Sequence, residues 1–303
     1  MAEVLMKAAS FVAIIILGYV LKCRGFFKEE DFGIISKIVL KIALPAAIVY
    51  NFSGASLEPS MLFLTLLGFL GGALFVVLAF LLSAGKNRAE RPFLILNLSG
   101  YNIGNFTMPF VQNFLGATGV VATSLFDAGN AFVCLGGSYS LASLVKEGKG
   151  KISIVPILKT LAKSVPFDAQ ITMVILTLLH IKLPAPVISF AGVIANANAF
   201  LAMLMIGVGF KLTGDRSQMG KIVKILGVRY GISALLALIF FFVLPLKLEY
   251  RQVLVLLAFS PIASAAPAFT GEIKEDVGLS SAVNSISIVI SIVLITAALV
   301  MVV

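Results

Sequence analysis

The sequence predicts an all-α polytopic membrane protein with ten transmembrane helices. Of its 303 residues, 60% are hydrophobic and only 12% are charged, whereas soluble domains carry roughly 25% charged residues. Residues 4–21 and 61–83 contain Lys7 as their single charge. Such runs reach the length that a helix needs to cross about 30 Å of hydrocarbon. A water-soluble globular enzyme is therefore excluded.

Ten apolar segments can be marked along the chain, and the loops between them are too short for a separate soluble domain. They cover residues 4–22, 33–53, 60–83, 92–115, 118–145, 167–181, 190–212, 221–244, 249–271 and 278–303.

The distribution of basic residues predicts the orientation of these spans. Of the 23 Lys and Arg residues, 19 lie in the loops after spans 1, 3, 5, 7 and 9 or in the adjoining helix ends. The opposite side carries only Lys7, Lys182, Lys247 and Arg251. Because basic loops stay in the cytoplasm, we expect a multi-pass protein of the inner or plasma membrane with both termini outside. The net charge of +9 then reflects topology and contact with the lipid bilayer, and we expect no nucleic-acid partner.

Weak internal similarity predicts two repeats. Residues 15–57 resemble residues 175–212, and Asn102 precedes Pro109 by seven positions, as Ser260 precedes Pro267. Five spans per repeat is an odd number, so the second copy enters the membrane from the other side, as in many transporters. We therefore expect an inverted five-helix repeat in residues 1–148 (spans 1–5) and in residues 149–303 (spans 6–10).

Span 4 contains a polar segment that predicts a broken helix. Residues 97–109, Asn-Leu-Ser-Gly-Tyr-Asn-Ile-Gly-Asn-Phe-Thr-Met-Pro, place two glycines and a proline in the middle of an apolar run. Proline removes a backbone donor and glycine weakens a helix. Freed backbone groups survive in a membrane only where protein or water meets them. A simple proline kink sealed by Ser99 or Thr107 is the alternative.

Span 9 repeats this device in residues 260–270, where Pro261 and Pro267 are six positions apart. Both breaks fall near the bilayer midplane on helices of opposite direction, so they should cross there. Backbone dipoles and amides at the crossing suit a carboxylate without an arginine. The expected substrate-binding residues are Asn102, Gly104, Asn105, Thr107, Pro109, Ser260, Pro261, Ser264 and Pro267.

Three further polar residues inside spans are candidates. Asp127 lies nine residues into span 5, roughly 13 Å deep at about 1.5 Å per residue, and a carboxylate at that depth is a functional candidate. Asp127 with Asn130 could couple transport to a sodium ion or a proton, or could simply fix span 5 against span 4. Asn130 and Asn284 either line the site or join helices.

We expect no cofactor and no metal site, because the chain has one histidine and no CxxC or HxxxH pattern.

The placement of these motifs resembles the auxin efflux carrier family, within the bile acid and auxin carrier-like superfamily. The resemblance rests on Pro45 in span 2, the segment 102–109 in span 4, Gly207-Val-Gly209 ending span 7, and the segment 260–267 in span 9. It covers essentially the whole chain. The long cytoplasmic loop of many plant members is absent, so the chain is more similar to the bacterial branch. Where members often carry a proline in span 7, Asn198-Ala-Phe-Leu201 stands here, and Asn196 and Asn198 could supply amides instead.

The resemblance implies a scaffold of spans 1, 2, 6 and 7, and a transport bundle of spans 3–5 and 8–10 that moves by an elevator-like mechanism. It also implies a small organic anion as substrate, with a homodimer as one assembly. A sodium- or proton-coupled symporter of another substrate, of the bile-acid type, is the first alternative. An intramembrane enzyme and a ligand-sensing receptor are remote alternatives, because no span pairs a His with a nucleophile and no signalling domain is evident.

The predicted orientation places Cys23 at the cytoplasmic end of span 1. In a variant whose other cysteine, Cys134, is replaced, a membrane-impermeant maleimide should label Cys23 only after the cells are permeabilised. Labelling of intact cells would reverse the predicted orientation.

Overall fold

The computed structural model describes residues 2–55, 57–85, 90–148, 154–211 and 218–302. In these ranges the chain is helical and has no strand. Several basic residues used to predict the orientation, among them Lys86, Arg88, Lys149 and Lys151, lie outside the described residues, as does residue 212 at the end of predicted span 7.

Fourteen α-helices are described, numbered here in chain order. They are α1 Ala2–Cys23, α2 Asp31–Ile38, α3 Leu44–Ser53, α4 Phe63–Leu82, α5 Glu90–Leu98, α6 Met108–Phe132, α7 Ser138–Glu147, α8 Ile154–Leu161, α9 Val165–Leu178, α10 Ala185–Gly209, α11 Met219–Phe242, α12 Leu248–Ala258, α13 Ala266–Glu272 and α14 Val277–Val302. A short 3₁₀ turn precedes α4 at Pro59–Leu62, and π-helical segments occupy Val39–Ala43, Ile103–Thr107 and Val133–Gly137.

Seven stretches of the described chain are long and apolar enough to cross a membrane, or eight if α8 and α9, bent by 83° at their junction, form one span. The seven are Val4–Cys23, Asp31–Ser53, Ser60–Leu82, Glu90–Glu147, Ala185–Gly209, Met219–Phe242 and Val277–Val302.

Two features explain why this number differs from the ten predicted spans. The stretch Glu90–Glu147 is 58 residues long, far more than the roughly 20 that one crossing needs. It contains a non-helical Gly116 (φ 62°, ψ −155°), and its two ends, α5 and α7, pack against each other. The chain therefore folds back within this stretch. Predicted span 9 is divided into α12 and α13, of 11 and 7 residues, neither of which is long enough alone.

The helices pack most closely where glycines face backbone carbonyls. A Cβ on Gly129 of α6 would lie 1.9 Å from the Thr65 carbonyl oxygen of α4, and a Cβ on Gly207 of α10 would lie 2.1 Å from the Ile15 carbonyl oxygen of α1. Small residues allow such close backbone approach between membrane helices. One glycine contact therefore joins α4 to α6, and another joins α1 to α10.

We expect Gly129→Ala to destabilise the protein by about 1–3 kcal/mol, because the added methyl group has to displace backbone rather than a side chain. Thermal unfolding of the detergent-purified protein measures the effect. The matched control is Gly227→Ala in α11, where a Cβ meets no atom within 4 Å. Equal unfolding temperatures for the two variants would contradict the close packing of α4 on α6.

Candidate functional site

Two interrupted helices come together in the interior of the protein. The first interruption follows α5 at residues 99–102 and contains Gly100 with φ +75°, a backbone conformation that glycine adopts without strain. The second follows α12 at residues 259–265. Pro267 lies in the first turn of α13, where its missing N–H costs nothing, and Pro109 follows the π-helical segment Ile103–Thr107 with which the first helix resumes.

The two breaks are bonded to each other. The Asn102 N–H donates to the Pro261 carbonyl at 2.9 Å, and the hydroxyl oxygens of Thr107 and Ser260 are 2.6 Å apart. In addition, the Asn105 side-chain amide donates to the Ser264 hydroxyl at 3.3 Å. The two polar segments that the sequence singles out are thus in direct contact.

A pocket of about 120 Å³, here called the deep pocket, lies beside this junction. Its polar lining combines amide, hydroxyl and carboxylate groups from both breaks, from α6 and from the start of α9. These groups belong to Asn102, Asn105, Asp127, Asn130, Ser164, Gln170 and Ser264. Gly104 also lines the pocket, and a Cβ on it would lie 3.8 Å from Asp127 Oδ2 and 2.9 Å from a Leu44 methyl carbon.

Asn130 connects Asp127 to the first break. Its side-chain amide donates to Asp127 Oδ1 at 3.0 Å and to the Tyr101 carbonyl at 3.1 Å, while its carbonyl oxygen accepts from the Tyr101 N–H at 3.2 Å. Asn284 has the corresponding place at the second break, where its amide donates to the carbonyls of Ile262 and Ala263 at 3.0 and 3.2 Å. Both asparagines therefore join helices, and both also face a cavity.

A wider cavity of about 680 Å³, here called the vestibule, shares Asn102, Asn105 and Ser264 with the deep pocket. Pro267 and Asn284 also line it. Its charged lining is predominantly basic, with four lysines and one glutamate. These residues are Lys22, Lys41, Lys163, Lys211 and Glu29. Lys211 pairs with Glu29 at 3.2 Å, so the lining retains a net positive charge.

The remaining predicted residues lie away from these cavities. Pro109 and Pro261 are buried within the crossing. Asn198 is fully buried in α10, and its amide donates to Gln112 of α6 at 3.2 Å, while Asn196 is exposed. Neither span 7 asparagine lines the deep pocket or the vestibule.

Arg229 lies at the two breaks but was not among the residues predicted from the sequence. The count of basic residues assigns it to the cytoplasmic end of span 8, and the site was expected to form without an arginine. Its side chain is 0% exposed and donates to the carbonyls of Leu98 and Ser260 at 2.7 and 3.4 Å. The rings of Phe75 and Tyr101 lie 4.0 and 4.6 Å from the guanidinium carbon. Its position eight residues into predicted span 8 was the available signal.

Comparison with known proteins gives transporters of unassigned substrate. No family model matches the chain. An uncharacterized transporter of Methanothermobacter thermautotrophicus is 26% identical over 291 residues, which cover 94% of this chain and 93% of the relative. An uncharacterized transporter of Methanocaldococcus jannaschii is 27% identical over 206 residues, covering 64% and 65%. The chain is thus an all-helical, multi-pass membrane protein that is similar, over nearly its whole length, to a protein named as a transporter.

Proposed function

We propose that this protein is a secondary transporter or facilitator of a small organic anion, carrying a carboxylate across the cell membrane. The observation that carries the proposal is a vestibule with four lysines and one glutamate that leads to a polar junction of two broken helices. Lysines in a low-dielectric cleft concentrate anions near its mouth. The junction then offers amide and hydroxyl donors without a carboxylate partner of their own.

The residues available to the solute are those whose polar side chains face a cavity and do not bond to the freed backbone groups of the breaks. The Asn102 side chain faces both cavities and makes no hydrogen bond within the described part of the chain. Asn105 and Ser264 bond only to each other across the junction. We assign carboxylate binding to these three residues, while Gly104 leaves room beside Asp127. Thr107, Pro109, Ser260, Pro261 and Pro267 shape the crossing behind them.

We further infer ten crossings in two inverted repeats, residues 1–148 and 149–303. The fold-back at Gly116 supports two crossings within Glu90–Glu147, and α12 with α13 supplies a broken one. Asn130 and Asn284, one in each repeat, pair with freed carbonyls of their respective breaks. This correspondence supports the internal duplication.

The packing supports a division into a scaffold and a moving bundle, as the auxin efflux carrier family implies. Helix α1 packs on α10, α10 on α3 and α3 on α9, while α4 packs on α6, α5 on α7, α11 on α12 and α13 on α14. We propose that the second set moves the junction across the membrane against the first, in an elevator-like manner. With both termini outside, the vestibule opens toward the cytoplasm.

Proton or sodium coupling is a second candidate, and it is favoured by Asp127. Its carboxylate lines the deep pocket and accepts one hydrogen bond from Asn130. The pocket also contains amide and carbonyl oxygens suited to a small cation. A proton or a sodium ion held there would lower the charge that crosses the membrane with the anion.

Uptake of labelled dicarboxylates into proteoliposomes tests the proposed function, and Asn102→Ala tests the site. Loss of the free amide should weaken anion binding by about 1–3 kcal/mol and leave folding intact. The matched control is Asn113→Ala, because the Asn113 amide donates only to Pro109 of its own helix, at 2.9 Å. Unchanged affinity in a folded Asn102→Ala protein would place the site elsewhere.

Asp127→Asn tests the coupling in the same proteoliposomes. If Asp127 couples transport, an imposed pH or sodium gradient should drive accumulation in the wild type. The variant should retain exchange down the anion gradient but lose this gradient-driven accumulation, because an amide cannot be protonated and carries no charge for sodium. If neither gradient drives accumulation in the wild type, or if the variant accumulates as much as the wild type, Asp127 does not couple transport.

A further inference from the structure

The burial of Arg229 is not balanced by an ion pair. Salt bridges among the described residues join lysines to glutamates, and none of them includes Arg229. Its guanidinium is enclosed by two aromatic rings and two carbonyls, and its Nε has no hydrogen-bond partner. A cation buried in this way is costly, and within a membrane it is a functional candidate by default.

The two carbonyls that it contacts lie one at each break. Leu98 is the last residue of α5, and Ser260 follows the end of α12 by two residues. The last carbonyls of a helix lack partners within it and carry partial negative charge. The planar fork of a guanidinium can donate in two directions at once, which a lysine ammonium cannot do with the same geometry. One side chain thus donates to the last carbonyl of α5 and to a carbonyl two residues beyond α12.

We propose that Arg229 is a positioning residue of the anion site, which holds the two helix breaks together and offsets the negative charge of their carbonyl ends. Two converging carbonyl ends would otherwise attract a cation to the crossing. With a permanent cation built in behind the junction, the donors of Asn102, Asn105 and Ser264 face the solute with a fixed positive charge behind them, which offsets the charge of the Asp127 carboxylate in the deep pocket. This inference rests on the proposed function and adds the source of its charge selectivity.

Three variants separate the charge of Arg229 from its geometry. Arg229→Gln removes the charge and part of the hydrogen bonding, whereas Arg229→Lys retains the charge and loses the fork. Arg251→Gln is the matched control, because Arg251 also donates to a backbone carbonyl, that of Phe241 at 2.9 Å, and lies over the Phe241 ring at 5.7 Å. These contacts of Arg251 lie outside the crossing of the two breaks.

The first measurement is the affinity of each purified variant for succinate and for butyrate, two probes that differ by one carboxylate. In Arg229→Gln we expect the affinity for succinate to fall by about tenfold or more, and that for butyrate to fall by less. Arg229→Lys should keep the wild-type preference between the two probes, and Arg251→Gln should bind both as the wild type does. Equal losses for both probes in Arg229→Gln would indicate a purely structural role and overturn the proposal.

The second measurement needs no ligand. Hydrogen exchange of the backbone at residues 99–103 and 259–265 should accelerate in both Arg229 variants, because the breaks lose their common partner, and should be unchanged in Arg251→Gln. An exchange rate in Arg229→Lys equal to that of the wild type at both breaks would contradict the proposal that Arg229 holds the breaks together. This variant tests the proposal even if Arg229→Gln does not fold. If the wild type binds neither succinate nor butyrate, the proposed function is contradicted. The exchange measurement then still tests whether Arg229 holds the two breaks together.

Discussion

Pairing of the backbone groups freed at the helix breaks is the constraint on which this structure depends. In hydrocarbon, each unpaired N–H or C=O group costs several kcal/mol, so two interrupted helices require a complete set of partners. The Asn102 N–H and the Pro261 carbonyl supply each other. Asn130, Asn284 and Arg229 pair with further carbonyls at the two breaks. Much of the polarity in the core is therefore explained by the backbone, before any solute is considered.

The hydrogen bonds to freed backbone groups also reduce the number of side chains available to bind a solute. Residues that the sequence alone presents as one polar group divide into those occupied with the backbone and those left over. Asn130 belongs mainly to the first class, and the side chains of Asn102 and Asp127 belong to the second, because they face open volume with few or no bonds of their own. The two classes cannot be told apart from sequence, because each consists of asparagine or aspartate residues in apolar runs. Only their hydrogen-bond partners in the folded structure separate them.

The sequence predicted the helical breaks well, because proline and glycine act locally. Pro109, Pro261 and Pro267 lie at or beside the interruptions, and the expected contact between the two segments is present. Arg229 could not be assigned correctly by counting charges, since that method treats every basic residue near a helix end as solvated. Its burial depends on Phe75 and Tyr101, which are distant in sequence and come together only in the folded chain. The bond between Asn198 and Gln112 is hidden from sequence for the same reason.

The lysines of the vestibule belong to one side of the proposed division. Lys22 lies in the last turn of α1, Lys41 lies in the π-helical segment before α3, and Lys163 and Lys211 adjoin α9 and α10. The junction residues belong to the other set of helices. If the junction travels, the lysines stay behind. Capture of an anion from the vestibule side is therefore accelerated by a field that ionic strength screens within about 8–10 Å, and release on the far side takes place without it. On the proposed mechanism, transport is therefore kinetically asymmetric even where its equilibrium is symmetric.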